Sequence, residues 1–281
     1  MAPIPQRQSP TIAAIDAHHE SAREAPRPHM GVSQLGHSCD RWLWLSFRWA
    51  IPAKHPGRIL RLFRRGHLEE AQILKDLKAI GFVFRTSPDG QHRVNFGSHV
   101  SGSMDGIIES GVPEAPTKPH VAEFKTHSLK SFNDLDKKGV QEAKPLHYIQ
   151  MQVYMHGAGI DRAFYLAVCK DDDRLHVERV RYDEAVAVKA VARGKRLALA
   201  DEMPPPLSRD PSWYECKFCD AYEYCHQGLG VTAQHCRVCA HSTAKEDGTW
   251  RCERHDADNI PLGFQRTGCA DFELHDHLVP F

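Results

Sequence analysis

The chain has 281 residues, with 36 Lys plus Arg set against 36 Asp plus Glu, 19 His, 9 Cys and 41 % hydrophobic residues, enough for one large domain or one domain with an appendage. No segment approaches the run of about 20 apolar residues needed to cross a bilayer, which excludes a membrane protein, and zero net charge leaves any nucleic-acid partner to a local patch or to bound cations. The first thirty residues lack the basic, apolar, small-residue order of a signal peptide, so a cytoplasmic location is expected, where disulfides do not persist and cysteines favour metal.

Residues 1–30 hold Pro3, Pro5, Pro10, Pro26 and Pro28 among polar residues and alanine, a composition that predicts a flexible tail. From Gly31 onward, LGHSCDRWLWLSFRWA reads as a buried helix around Cys39. The segment ILRLFRRGHLEEAQILKDLKAIGF repeats apolar residues at helical spacing through Leu60, Phe63, Leu68, Leu74, Leu77 and Ile80, and Gly81 ends it. Residues 82–128 shift to short runs broken by turn residues, which predict three antiparallel strands. In VAEFKT the two-residue period sets Val121, Glu123 and Lys125 on one face and Ala122 and Phe124 on the other. A helix is expected from Pro145 to His156, with Gln150 and Tyr154 four apart on one face. A strand pair (AFYLAVC and RLHVERV) and a helix from about Asp183 to Glu202 follow. This order indicates a mixed sheet flanked by helices. Pro204, Pro205 and Pro206 close it, and the remainder holds seven of the nine cysteines with little apolar periodicity, too little core to fold without staples.

Phosphodiester hydrolysis needs a divalent cation to neutralise the phosphate and acidify a water, and carboxylates are the ligands magnesium prefers. Asp105 in SGSMDG and, 18 residues later, Glu123 beside Lys125 are suited to hold one, with the ammonium placed to orient the attacking water. His67 and Glu70, three apart on a helix, are able to add an imidazole or a third carboxylate. Arg58, Arg61, Arg64 and Arg65 form a basic stripe just ahead of His67, able to track a phosphate backbone.

Cys216, Cys219 and Cys225 form C-x-x-C-x5-C, with Cys39 the candidate fourth ligand; such a thiolate set holds either zinc or an iron-sulfur cluster. Cys236, Cys239, Cys252 and Cys269 follow the grammar of a small zinc module, in which His241 or His255 can replace one cysteine. Cys169, inside AFYLAVC, reads as a small buried hydrophobe.

The succession of a His in GHLEE, an Asp after a small-residue turn, an acidic-any-Lys strand and a Q-x-x-x-Y helix resembles the PD-(D/E)XK nuclease superfamily across about residues 31–228. The closest likeness is to its RecB-like branch, which includes CRISPR-associated adaptation nucleases. The family's leading Pro-Asp pair is absent, since Met104 precedes Asp105, whereas the branch commonly has Gly-x-x-Asp, as in Gly102 to Asp105.

The resemblance implies an α/β, restriction-endonuclease-like core with a central mixed sheet flanked by helices. His67, Glu70, Asp105 and Glu123 would bind Mg or Mn, Lys125 would be the catalytic lysine, and Gln150 and Tyr154 would support the site, with Gln152 as a register alternative. Relatives place one cysteine before the core and three after it around a 4Fe-4S cluster, so Cys39, Cys216, Cys219 and Cys225 would clasp one. The expected organisation is a tail (1–30), a nuclease domain (31–228) and a zinc-binding module (229–281). The expected function is metal-dependent DNA cleavage, exonucleolytic, in recombination, repair or phage DNA processing, alongside a recombination or replication partner. The alternatives are an inactive DNA-binding or scaffold subunit, or an RNA-processing or CRISPR-adaptation nuclease.

Overall fold

A computed structural model describes residues 9–22, 25–51, 55–88 and 90–279. In chain order its helices and strands begin with α1 (Pro10–Ser21), β1 (Met30–Gly31), α2 (Asp40–Phe47), α3 (Gly57–Ala79), β2 (Val83–Phe84), β3 (His92–Gly97), β4 (Val100–Met104), β5 (Gly106–Ser110) and β6 (His120–His127). They continue with α4 (Leu129–Ala143), α5 (Pro145–Ala158), β7 (Arg162–Cys169), β8 (Leu175–Arg181), α6 (Glu184–Leu199), α7 (Tyr214–Lys217), α8 (Tyr222–Gln227), β9 (Ser242–Ala244), β10 (Trp250–Cys252) and α9 (Leu262–Thr267).

The central sheet runs β2-β5-β6-β7-β8. It is mixed: β6 and β7 pair in parallel, and every other neighbour is antiparallel. A parallel pair requires a crossover, which α4 and α5 supply. The alternation expected in β6 is present. Ala122 and Phe124 join Ile73 and Leu77 of α3 and Phe164 and Leu166 of β7 in one apolar layer, while Val121 packs on the opposite side with Met151 and Val153 of α5. Pro145 opens α5 and Gly159, at φ 65°, ends it, as proline at a helix start and a left-handed residue just past its end dictate. Among the described residues no helix is long and apolar enough to cross a membrane.

Two sequence expectations, the strand count over 82–128 and the tail, need correction. Residues 82–128 form five short strands rather than three, divided between the central sheet and a second one ordered β1-β4-β3; the chain changes sheets between Met104 and Gly106. The helix expected ahead of Gly81 is present as α3; of its large apolar residues it buries Ile73 and Leu77, while Phe63 and Leu68, and Ile80 just past its end, are exposed. Within the stretch assigned to a tail, Pro10–Ser21 is helical with no buried residue. It docks on α3 through polar ends: Glu20 Oε1 accepts the Gly57 N–H at 2.8 Å, and Asp16 pairs with Arg61. Residues 1–8 lie outside the described part. The C-terminal stretch packs against the rest of the chain. Ala244, Trp250 and Ile260 belong to the same core as Phe47 and Met151, and Val238 and Leu278 pack with Trp44 and Leu45.

Two buried arginines bind these parts together. Arg237 donates to Phe47 O (3.0 Å), Pro28 O (2.8 Å) and Gln265 Oε1 (3.0 Å), with its guanidinium 3.9 Å from the Trp49 ring centroid. Arg48 donates to Ala200 O at 3.2 Å and lies 4.6 Å from the Trp44 ring centroid. Backbone carbonyls and ring faces thus replace the water these cations give up, although burial still lowers Arg237 to about 9 and Arg48 to about 10.

Candidate active site

Asp105 occupies the link at which the chain passes from one sheet to the other. Gly106 pairs with Ala122 at the end of the β5–β6 ladder. Amides two apart on an antiparallel strand face the same neighbour, so the Phe124 N–H emerges just past that ladder, and Asp105 Oδ2 accepts it at 2.7 Å. That bond fixes the first carboxylate against β6. The second comes from β6 itself: Glu123 is 0 % exposed, and its Oε2 accepts from Gln150 Nε2 of α5 at 3.1 Å. Lys125 Nζ lies 4.0 Å from Asp105 Oδ2 and forms a close ion pair with Glu123 Oε1. Two carboxylates and one ammonium therefore converge from adjoining segments.

Tyr154, four residues after Gln150, donates from Oη to Ser103 O at 2.6 Å and ties α5 to the strand that leads into Asp105. A side chain at Gly102 would meet the Tyr154 ring at 3.0 Å and Val32 at 2.8 Å, so glycine permits that close approach. Gln152 points elsewhere: its amide bonds Arg181 O and the Asp183 N–H, which removes it as the alternative to Gln150.

Burial pushes the Glu123 carboxyl upward; Lys125 opposes this, while Asp105 and Glu70 add to it. Burial works against the Lys125 ammonium, yet Glu123, Asp105 and Glu70 together hold it charged above its ordinary value. Glu70 of α3 is raised by burial and by repulsion from Asp105, which places it in the field of the same cluster. His67 is exposed and acts on Glu70. Within the arginine stripe, Arg61 is engaged by Asp16 and Arg65 donates to Lys170 O at 3.0 Å; Arg58, Arg64 and Arg65 are exposed.

The donor set fits a hard divalent cation. Glu123 is buried and its Oε1 pairs with Lys125, and a second carboxylate, Asp105, adjoins the same ammonium. Carboxylate oxygens in this setting are the ligands Mg and Mn take.

The four cysteines of the first set line one cavity, together with His37, Trp42 and Tyr222. Cys39 caps α2, its Sγ accepting the Trp42 N–H at 3.4 Å. Burial raises the thiols of Cys216 and Cys225, and raises Cys219 to about 11, with Cys39 adding to each. The second set also clusters: burial and then the neighbouring Cys239, Cys269 and Cys252 push Cys236 to about 11. Among the described residues, His255, Cys269 and Asp271 are the one trio of His, Cys, Asp or Glu whose ligand atoms all lie within 4.8 Å of one another. The two candidate histidines thus differ, since His241 pairs with Glu273 while His255 Nε2 lies 3.6 Å from Cys269 Sγ. Cys169 is fully buried, as its apolar surroundings suggest.

Sequence reasoning passed over three polar residues beside the carboxylates: His127, His147 and Tyr165. The spacing His147, Gln150, Tyr154 marks one helical face and carried the signal for His147. Tyr165 was hidden within an apolar strand.

No protein-family model matches the chain, and no curated protein matches it. Among solved structures, SSO0001 is similar at 17 % identity and a TM-score of 0.45, over 78 % of this chain and 98 % of that one. The alkaline exonuclease LHK-Exo from Laribacter hongkongensis is similar at 13 % identity and a TM-score of 0.41, over 64 % and 90 %. A phage-related exonuclease from Haemophilus somnus 129PT is similar at 16 % identity and a TM-score of 0.32, over 47 % and 66 %. These likenesses are distant, and the case for function stands on the side chains.

Proposed function

We propose that the protein is a metal-dependent nuclease that hydrolyses DNA phosphodiester bonds, built on a restriction-endonuclease-like core. The observation that carries this reading is the convergence of Asp105, Glu123 and Lys125, with the Lys125 ammonium set between the two carboxylates. Asp105 and Glu123, supported by Glu70 and His67, would hold Mg or Mn. When bound, such a cation neutralises the scissile phosphate and acidifies the attacking water. Lys125 orients that water and counters charge that develops on the phosphate. Gln150 holds Glu123 in its rotamer, and Tyr154 holds the strand that carries Asp105. The alternative of an inactive scaffold is disfavoured because all three groups are present and mutually oriented.

In the same reading Cys39, Cys216, Cys219 and Cys225 hold a 4Fe-4S cluster of structural role. It ties α2 to the segment after α6 across more than 170 residues of chain, and thiol donors around one cavity suit it. Zinc is assigned to Cys236, Cys239, Cys252 and Cys269, with His255 the histidine able to replace one of them. Exonucleolytic action, a setting in recombination, repair or phage DNA processing and a recombination or replication partner complete the proposal.

The test is digestion of linear and of covalently closed circular DNA with Mg or Mn and with EDTA. Degradation of linear DNA alone, and only with the cation, is the expected result. Protein that is folded and metal-loaded yet leaves both substrates intact would favour the scaffold reading.

A further inference from the structure

Four polar side chains run in line beside the carboxylates. Ser131 Oγ lies 3.2 Å from His127 Nδ1, His127 Nε2 lies 3.0 Å from Tyr165 Oη, and Tyr165 Oη lies 2.9 Å from His147 Nδ1. They come from four elements around the site. His127 ends β6, two residues past Lys125, and Ser131 stands in the first turn of α4. Tyr165 lies on β7 in register with Glu123. His147 stands in the first turn of α5, three residues ahead of Gln150 and hence on the face that meets Glu123.

Both rings are held neutral. Burial lowers His147 to about 3 and His127 to about 4, and the nearby Lys125 ammonium works in the same direction on each. Tyr165 is buried, and burial keeps its hydroxyl protonated.

Neutral groups in such a line pass their protons one way or the other. In one direction Ser131 donates to His127, His127 to Tyr165 and Tyr165 to His147 Nδ1, which leaves the last imidazole proton on Nε2. In the opposite direction His147 Nε2 carries a bare lone pair. His147 is half-buried, and its Nε2 has no hydrogen-bond partner among the described residues. An anion arriving at Nε2 selects the first direction.

We propose that His147 is a substrate-contacting residue whose Nε2–H donates a hydrogen bond to a phosphate oxygen of the DNA strand beside Lys125, and that Tyr165 and His127 are positioning residues that fix its tautomer and ring plane. This rests on the nuclease reading. It adds a phosphate contact without bringing a second positive charge next to Lys125, the arrangement that a neutral ring with one assigned proton provides.

The test uses full-length protein and a fluorescein-labelled DNA duplex. Affinity is measured by anisotropy in Ca and cleavage kinetics in Mg, for the unsubstituted protein and for His147→Ala, His147→Gln and Tyr165→Phe, each checked for an unchanged melting temperature. A hydrogen bond to a charged group corresponds to about tenfold or more in affinity. His147→Ala is therefore expected to raise Kd and KM about tenfold, with a smaller change in kcat. His147→Gln, which keeps an N–H near the same place, restores most of the loss, and Tyr165→Phe falls between. The dependence of log Kd on log salt stays unchanged, because the donor is neutral. Wild-type binding and cleavage by His147→Ala overturns the proposal. So does an equal loss in His147→Ala and His147→Gln, which marks a packing role. If the unsubstituted protein neither binds nor cuts DNA, the nuclease reading itself fails, a result distinct from either of these.

Discussion

In the proposed site, Glu123 is the acid most fully removed from water among the described residues. Its carboxyl and that of Glu70 are raised by burial and by neighbouring acids, so the folded protein binds those protons more tightly than the unfolded chain does. Metal-free protein must then lose stability as pH rises from the ordinary carboxylate range through the raised values. A divalent cation needs the ionised forms and meets less competition from protons at high pH. Added Mg or Mn is accordingly expected to raise the melting temperature more at about pH 8.5 than at about pH 6, and Glu123→Gln to remove most of that increment. Thermal melts with and without cation at both values measure it, and an increment that shrinks with rising pH would contradict the assignment. Lys125→Met should keep the increment while losing cleavage, since Lys125 is not a ligand.

At the scale of elements, α3 carries the basic stripe, yet its four arginines are not equivalent. Asp16 holds Arg61, and Lys170 O holds Arg65; Arg58 and Arg64, like Arg65, are exposed. Replacing Arg58 and Arg64 with alanine is expected to weaken DNA binding and to reduce the salt slope by about 2, one phosphate for each charge removed. An unchanged slope in a salt titration would separate the stripe from the substrate path. The same helix marks how far sequence reasoning reaches. Its 3.6-residue period was legible, but period alone does not tell which half of a helix finds a sheet to cover it: Ile73 and Leu77 are buried, and Phe63 and Leu68 are exposed. The helix over 10–21 was missed because it buries nothing and is held by ion pairing and capping to residues some 40 positions away. The alternation of β6 and the Gln150–Tyr154 face were readable from side-chain period. The bond from the Phe124 amide to Asp105 was not, since it depends on where the β5 ladder stops.

Across the whole molecule, the cysteine-rich C-terminal segment packs against the α/β core through Val238, Trp250, Ile260 and Leu278. Trp250 packs with Phe47 and Met151, and both buried arginines lie over its ring; Cys39 shares a cavity with Cys216, Cys219 and Cys225 around α7 and α8. Metal loss is therefore expected to unfold more than the segment that holds it. Anaerobically purified protein should be brown and carry about four irons and one zinc per chain, and Cys216→Ser should lose the iron and lower the melting temperature of the whole chain in a single transition. Colourless protein with two zincs would replace the cluster by zinc and leave the carboxylate site untouched. The central claim, that Asp105, Glu123 and Lys125 form one hydrolytic centre, is tested most directly by the rate of Mg-dependent cleavage of end-labelled DNA by Glu123→Ala beside the unsubstituted protein. A fall of at least about a thousandfold with the fold intact is the predicted result; a rate within a few-fold of the original would contradict it.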